Sequence, residues 1–128
     1  MARKRMLDPC IWDSEQVQTL TPAQFKLFIF MISQSDDEGR LKVSLPLFKS
    51  RVHPLTEYSP ETFKSDVAEL VKSGLMQSYQ HGSEWYMAHP NWKKYQTINR
   101  PLPSRLPEPE KAEITDDSLN THVGINED

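Results

Sequence analysis

The residues best equipped for chemistry lie between Trp85 and Pro107. There Lys93, Lys94, Arg100 and Arg105 follow or interleave with Trp85, Tyr86, Trp92 and Tyr95, and no acidic residue intervenes. Cations so placed neutralise phosphates, and exposed rings beside them would stack on bases. Large aromatics are usually well buried, so Trp85 and Trp92 read more readily as core residues that pack a hairpin onto helices. The four cations keep their meaning either way. Arg3-Lys4-Arg5 forms a second basic cluster, readable either as a groove-seeking arm or as a solvated terminus.

Other chemistries find less support. His53, His81, His89 and His122 form no i, i+4 pair and have no cysteine beside them, as a zinc site would require. Asp36-Asp37-Glu38-Gly39 is rich in carboxylate but lacks the alternating ligands and the twelfth-position glutamate of a calcium loop. It reads as a polar turn held by Gly39. The sequence contains neither a glycine-rich phosphate loop nor a nucleophile elbow. The expectation is a protein that is not an enzyme and carries no metal or cofactor.

Charge is unevenly spread behind the net value of −3. Through Leu106 there are 14 Lys and Arg against 11 Asp and Glu, and from Pro107 onward 1 against 7. A mildly basic body permits nucleic-acid binding without requiring it. From Pro107 to Asp128 there is no aromatic residue, and Ile114, Leu119, Val123 and Ile125 show no period. Such a stretch buries too little surface to offset its ordering entropy. The expected organisation is therefore one domain over residues 1–106 and a disordered, Pro-containing acidic tail over 107–128. The single cysteine, Cys10, excludes an internal disulfide. Met1-Ala-Arg-Lys-Arg leads into Leu7-Asp8-Pro9 rather than an apolar signal segment, and the longest apolar run, Leu27–Ile32, is far short of a membrane span. No membrane contact and a cytoplasmic location are expected.

The elements that must position these residues carry clear local signals. Thr21-Pro22-Ala23-Gln24 is a capping box opening a helix over 22–33, whose Phe25 and Leu27–Ile32 leave it apolar nearly all round. Such a helix is enclosed by other elements or lies at a subunit contact. A strand over Leu41–Val43 follows the acidic turn, and Ser44 caps a helix over Leu45–Val52, ended by His53-Pro54. Ser59 and Pro60 start the next helix; Phe63, Val67, Leu70 and Val71 share one side, and Gly74 supplies its stop. Strands over Leu75–Gln80 and Glu84–His89 join through His81-Gly82-Ser83. Asn91–Gln96 suggests a turn of helix, and Pro101, Pro103, Pro107 and Pro109 a stiff extended segment. The fold class expected is α+β, mainly α: a winged helix-turn-helix with a β-hairpin wing.

In such a fold the helix from Ser59 would face a groove, with Lys64, Ser65, Lys72 and the hairpin around His81 approaching nucleic acid. Opposite its apolar stripe, however, lie Glu61 and Glu69 beside Ser65 and Lys72, with Thr62 at the edge. Two carboxylates there repel phosphate, so binding led by the hairpin, the arm and the 93–105 strip is expected.

Asp36-Asp37-Glu38-Gly39-Arg40-Leu41, the helix end Ser73-Gly74-Leu75, and Asn91-Trp92-Lys93-Lys94-Tyr95-Gln96 followed by Ile98-Asn99-Arg100-Pro101 resemble the N-terminal winged-helix domain of phage replisome organisers. These are similar to the DnaD-type replication initiation proteins of Gram-positive bacteria and their phages. The start ending in Ile11-Trp12 fits the same pattern, and the resemblance spans residues 5–107. It implies a module that binds double- or single-stranded DNA, recruits a helicase loader or other replication proteins, and forms a homo-oligomer. Longer members carry a second folded domain, for which this sequence offers no candidate. Two other functions are compatible with the residues. One is a protein-interaction adaptor that recruits or inhibits a host or replication factor through its acidic helix face and tail. The other is a winged-helix transcriptional regulator.

Overall fold

The computed structural model describes residues 3–109; the greater part of the expected tail lies outside the described residues. A 3-10 turn over Pro9–Asp13 leads into α1 (Glu15–Gln18), α2 (Pro22–Gln34), β1 (Arg40–Lys42), α3 (Leu45–Val52), α4 (Pro60–Lys72), β2 (Gln77–His81), β3 (Glu84–Ala88) and α5 (Trp92–Tyr95). The class is α+β and mainly helical, as the sequence led one to expect.

Local chemistry sets the helix limits. Thr21 accepts from the Gln24 amide at 3.2 Å while the Gln24 side chain accepts from the Thr21 amide at 3.0 Å, the reciprocal pair of a capping box. Ser44 and Ser59 accept from the amides of Leu47 and Thr62 in the same manner. At the end of α4, Gly74 adopts φ +84°, a conformation in which a Cβ would be strained.

The helices meet in one core. Leu27 and Met31 of α2, Phe48 and Val52 of α3, and Phe63, Val67 and Leu70 of α4 are almost wholly buried. Phe48 lies edge-on to Phe30 at 5.1 Å and to Phe63 at 5.4 Å, tying all three helices together. One buried polar group bridges α2 and α4: Asp66 accepts from Gln24 Nε2 at 3.4 Å and from the hydroxyl of Tyr58, in the loop before α4, at 3.0 Å. Burial, with the Asp66 charge beside it, pushes the Tyr58 hydroxyl well above its ordinary pKa.

The sheet is antiparallel in the order β1-β3-β2, with Leu41 and Ser78 both opposite Met87 and Tyr79 opposite Tyr86. The period of two divides β3: Trp85 and Met87 join the helical core, whereas Tyr86 and Ala88 form a second cluster with Tyr79, onto which Leu106 packs. Tyr79 and Tyr86 stack at 5.6 Å, and the Tyr79 hydroxyl donates to the Pro107 carbonyl at 2.9 Å. Leu106, the last residue of the expected domain, thus covers the far face of the sheet, and the bond to Pro107 follows directly.

Candidate nucleic-acid interface

The acidic turn organises this end of the molecule. Asp36 Oδ1 accepts from the amides of Glu38 and Arg40 at 2.9 and 3.0 Å, closing the turn on itself. Its other oxygen accepts from the Ser104 hydroxyl, and Glu38 accepts from the Ser104 amide at 2.6 Å. Asp37 accepts from the Leu102 amide at 2.9 Å, pairs with Arg5 at 3.0 Å and meets Arg3 at 3.5 Å. The Leu102 amide chiefly, with Arg5 and Arg3, holds the Asp37 carboxyl below its usual range although burial opposes this. The Trp92 indole donates to the Asp37 carbonyl at 2.9 Å, and the ring lies against Gly39. The three consecutive carboxylates thus fasten the N-terminal arm and the Pro-rich segment, and the Asp37 carbonyl fastens α5.

This corrects the part expected of Arg5. Its side chain is 4% exposed, ion-paired to Asp37, donating to the Ser35 carbonyl at 2.8 Å and lying over the Trp92 ring at 5.2 Å. Such a guanidinium is structural and out of reach of a phosphate. Arg3 is half tied, donating to the Asn99 carbonyl at 3.2 Å while remaining 43% exposed.

The arm is zipped to the chain beyond α5. The Met6 amide donates to the Gln96 side chain at 2.9 Å, and that side chain donates back to the Met6 carbonyl at 2.8 Å. With Arg3 on Asn99, residues 3–6 run antiparallel to 96–99. Lys4 is thereby brought toward Arg100 and α5, where Trp92 is buried while Lys93 and Lys94 point outward. Lys94 lies 5.3 Å from the centre of the Tyr95 ring. Arg100 is exposed at φ 54°, and Arg105 is exposed next to the anchored Ser104. Among the described residues Lys4, Lys93, Lys94, Arg100 and Arg105 enter no ion pair. Lys72, exposed in the last turn of α4, precedes Gly74, which borders a groove shared with Met6 and Tyr95.

The remaining candidates lie elsewhere. His81 is exposed at the hairpin turn, where Gly82 takes φ +63° and Lys42 pairs with Glu84 at 3.1 Å. That turn is at one end of β3, and Ala88, opposite Arg40, is at the other. Four residue steps place the two ends roughly 13 Å apart. Lys64, half-buried, and Ser65, exposed, sit about two turns of α4 from Lys72. Glu61 and Glu69 are exposed on the same helix. The structure thus gathers Arg3, Lys4, Lys93, Lys94, Arg100 and Arg105 around the acidic turn and separates them from the hairpin tip.

Trp85 and Trp92 are 3% and 5% exposed and so belong to the core, which leaves stacking to other rings. Trp12 is 60% exposed and meets Phe25 at 5.7 Å. Lys49 and Arg51 also stand out: they end α3, are exposed and enter no ion pair among the described residues. The run Lys49-Ser50-Arg51 was their only signal in the sequence, and it reads equally as a favourable helix C-terminus.

A groove of about 110 Å³ opens between the arm and α5, walled by Met6, Leu7, Ile11, Leu75, Trp92 and Tyr95. His89 lies behind it, its ring tilted against Trp92 with centroids 5.2 Å apart; its Nε2 is buried with no hydrogen-bond partner among the described residues. Burial lowers its pKa to about 4, although a hydrogen bond to the Met31 backbone opposes the shift. Among the described residues no group of three or more His, Cys, Asp or Glu could hold a metal ion, and no helix is long and apolar enough to cross a membrane.

No family model, curated protein or solved structure matches the chain.

Proposed function

We propose that this chain is a non-catalytic, winged-helix nucleic-acid-binding protein that acts in phage or prophage DNA replication in the manner of a replisome organiser. The element order, with α4 passing directly into the β2–β3 hairpin and β1 pairing with β3, supports a winged helix. One observation carries the binding function: Lys4, Lys93, Lys94, Arg100 and Arg105 are exposed and, among the described residues, without ion pairs, around a turn that fastens their three segments. Unpaired cations on an anchored backbone can neutralise phosphates without first breaking an ion pair, whereas the exposed Glu61 and Glu69 disfavour phosphate on α4. Binding is then backbone-led, indifferent to sequence and steeply salt-dependent. The place in replication rests on the resemblance of the acidic turn and of the Asn91–Pro101 run, and in that setting the protein would work in the host cytoplasm.

The test is an anisotropy titration of single-stranded and duplex oligonucleotides with the full chain and with a Lys93→Ala, Lys94→Ala, Arg100→Ala variant. Affinity for every sequence should fall together. Unchanged affinity would remove the flank from the interface. The exposed Glu61 and Glu69 favour a second function, a docking face for a basic protein partner. A Glu61→Gln, Glu69→Gln variant that binds nucleic acid more tightly but still supports replication would exclude that role.

A further inference from the structure

The groove, mainly apolar but with the Asp8 carboxylate on its wall, lies within the basic flank. The arm that supplies Met6, Leu7 and Ile11 to its wall also carries Lys4, and α5 supplies Trp92 and Tyr95 while carrying Lys93 and Lys94. Met6 and Leu7 on the rim are 51% and 52% exposed. A nucleic-acid backbone uses the cations but leaves such a groove unfilled. An engineered cavity of about 150 Å³ takes benzene, so one of about 110 Å³ suits a branched aliphatic side chain. The surface calls for a peptide that places an aliphatic residue among carboxylates.

The chain contains such a peptide. Residues 110–128 hold six carboxylates against the single Lys111, and Ile114 stands between Glu113 and the pair Asp116-Asp117. The described body ends at Pro109, just after Pro107 is fastened to Tyr79. Nineteen residues follow Pro109. Extended, they span up to about 60 Å, against a body of roughly 13 Å radius of gyration, so reach does not limit them. We infer that the segment 110–128 docks on this flank, seating an aliphatic side chain (Ile114 or Ile125) in the groove and its carboxylates against Lys4, Lys93, Lys94 and Arg100. It then competes with an external polyanion, and salt or a stronger polyanion displaces it. The competition presumes the nucleic-acid function; the docking does not.

Cys10 lines the groove and is the only cysteine in the chain, so its alkylation reports occupancy with no nucleic acid present. Two full-length variants separate packing from charge: Ile114→Ser with Ile125→Ser, and Glu113→Gln with Asp116→Asn and Asp117→Asn. The first alters no charged residue, so a faster rate means that the aliphatic side chains hold the segment over the thiol. At low salt both variants should react with iodoacetamide roughly threefold faster or more than the parent, and raising salt should close the gap for the charge variant. Equal rates for the parent and the Ser variant overturn the proposal. So does a parent rate that falls as protein concentration rises, because a second copy then covers the groove.

Discussion

Gly39→Ala is the sharpest perturbation available at the acidic turn. Gly39 sits at φ +80°, and a Cβ built there would lie 2.6 to 2.8 Å from Cβ, Cγ and Cδ2 of Trp92. Alanine in the left-handed region costs about 1–2 kcal/mol, and forcing an extra carbon against a packed ring costs about 1–3 kcal/mol more. Trp92 cannot retreat easily, since its indole is bonded to Asp37 and its ring also meets Arg5 and His89. A loss of about 3 kcal/mol is expected, enough to lower Tm by more than about 10 °C in a domain of this size. Gly82→Ala is the control: φ is +63°, but nothing lies within 4 Å of the added carbon, so it incurs only the backbone cost of about 1–2 kcal/mol. Urea unfolding of the three proteins, followed by tryptophan fluorescence and by circular dichroism, gives both losses. If Gly39→Ala costs no more than Gly82→Ala, Trp92 is not seated against the turn and the rigid display of Lys93 and Lys94 fails with it.

Three other predictions concern buried charge and the arm. His89 titrates at about 4 in the folded chain against about 6.5 unfolded, so its neutral form supports the fold fully above pH 6.5 and that support drains as pH falls through 4. The shift corresponds to roughly 3 kcal/mol, and His89→Asn should flatten the stability profile across that window; parallel profiles would contradict the assignment. The lowered Asp37 pKa acts in the same direction at lower pH, contributing stability above the ordinary carboxylate value that is lost as pH falls through the folded one. Asp37→Asn should remove that dependence and free the arm, seen as faster tryptic cleavage at Arg3, Lys4 and Arg5; unchanged cleavage would mean that Asp37 does not anchor the arm. Asp66→Ala strands Tyr58 and Gln24 in the core and should cost about 1–3 kcal/mol in urea unfolding, whereas a neutral result would show water reaching that pair.

What the sequence disclosed, it disclosed through local chemistry. The Thr21–Gln24 box, the Ser44 and Ser59 caps and Gly74 act within four residues of themselves, so α2, α3 and α4 begin where expected and end within about a residue of it. The alternation of Trp85 and Met87 against Tyr86 and Ala88 was less legible, because both faces of the sheet are covered and all four are buried. The role of the acidic turn could not be read at all. Asp36, Asp37 and Glu38 meet Leu102 and Ser104 more than sixty residues away, and carboxylates poised for a cation look the same in sequence as carboxylates poised for amides. Arg5 misled for the same reason: a basic triplet near a terminus looks solvated until its partner across the fold is known.

Salt titration of nucleic-acid binding tests the central claim most directly. Each phosphate neutralised contributes about 0.9 to the slope of log K against log salt on duplex and about 0.7 on a single strand. If Lys93, Lys94 and Arg100 each hold one, replacing all three with alanine should reduce the slope by about 2 to 3 units, and His81→Ala with Lys64→Ala should change it far less. A slope unmoved by the flank substitutions, or moved as much by the hairpin-side pair, would contradict the assignment of the polyanion to this end of the molecule.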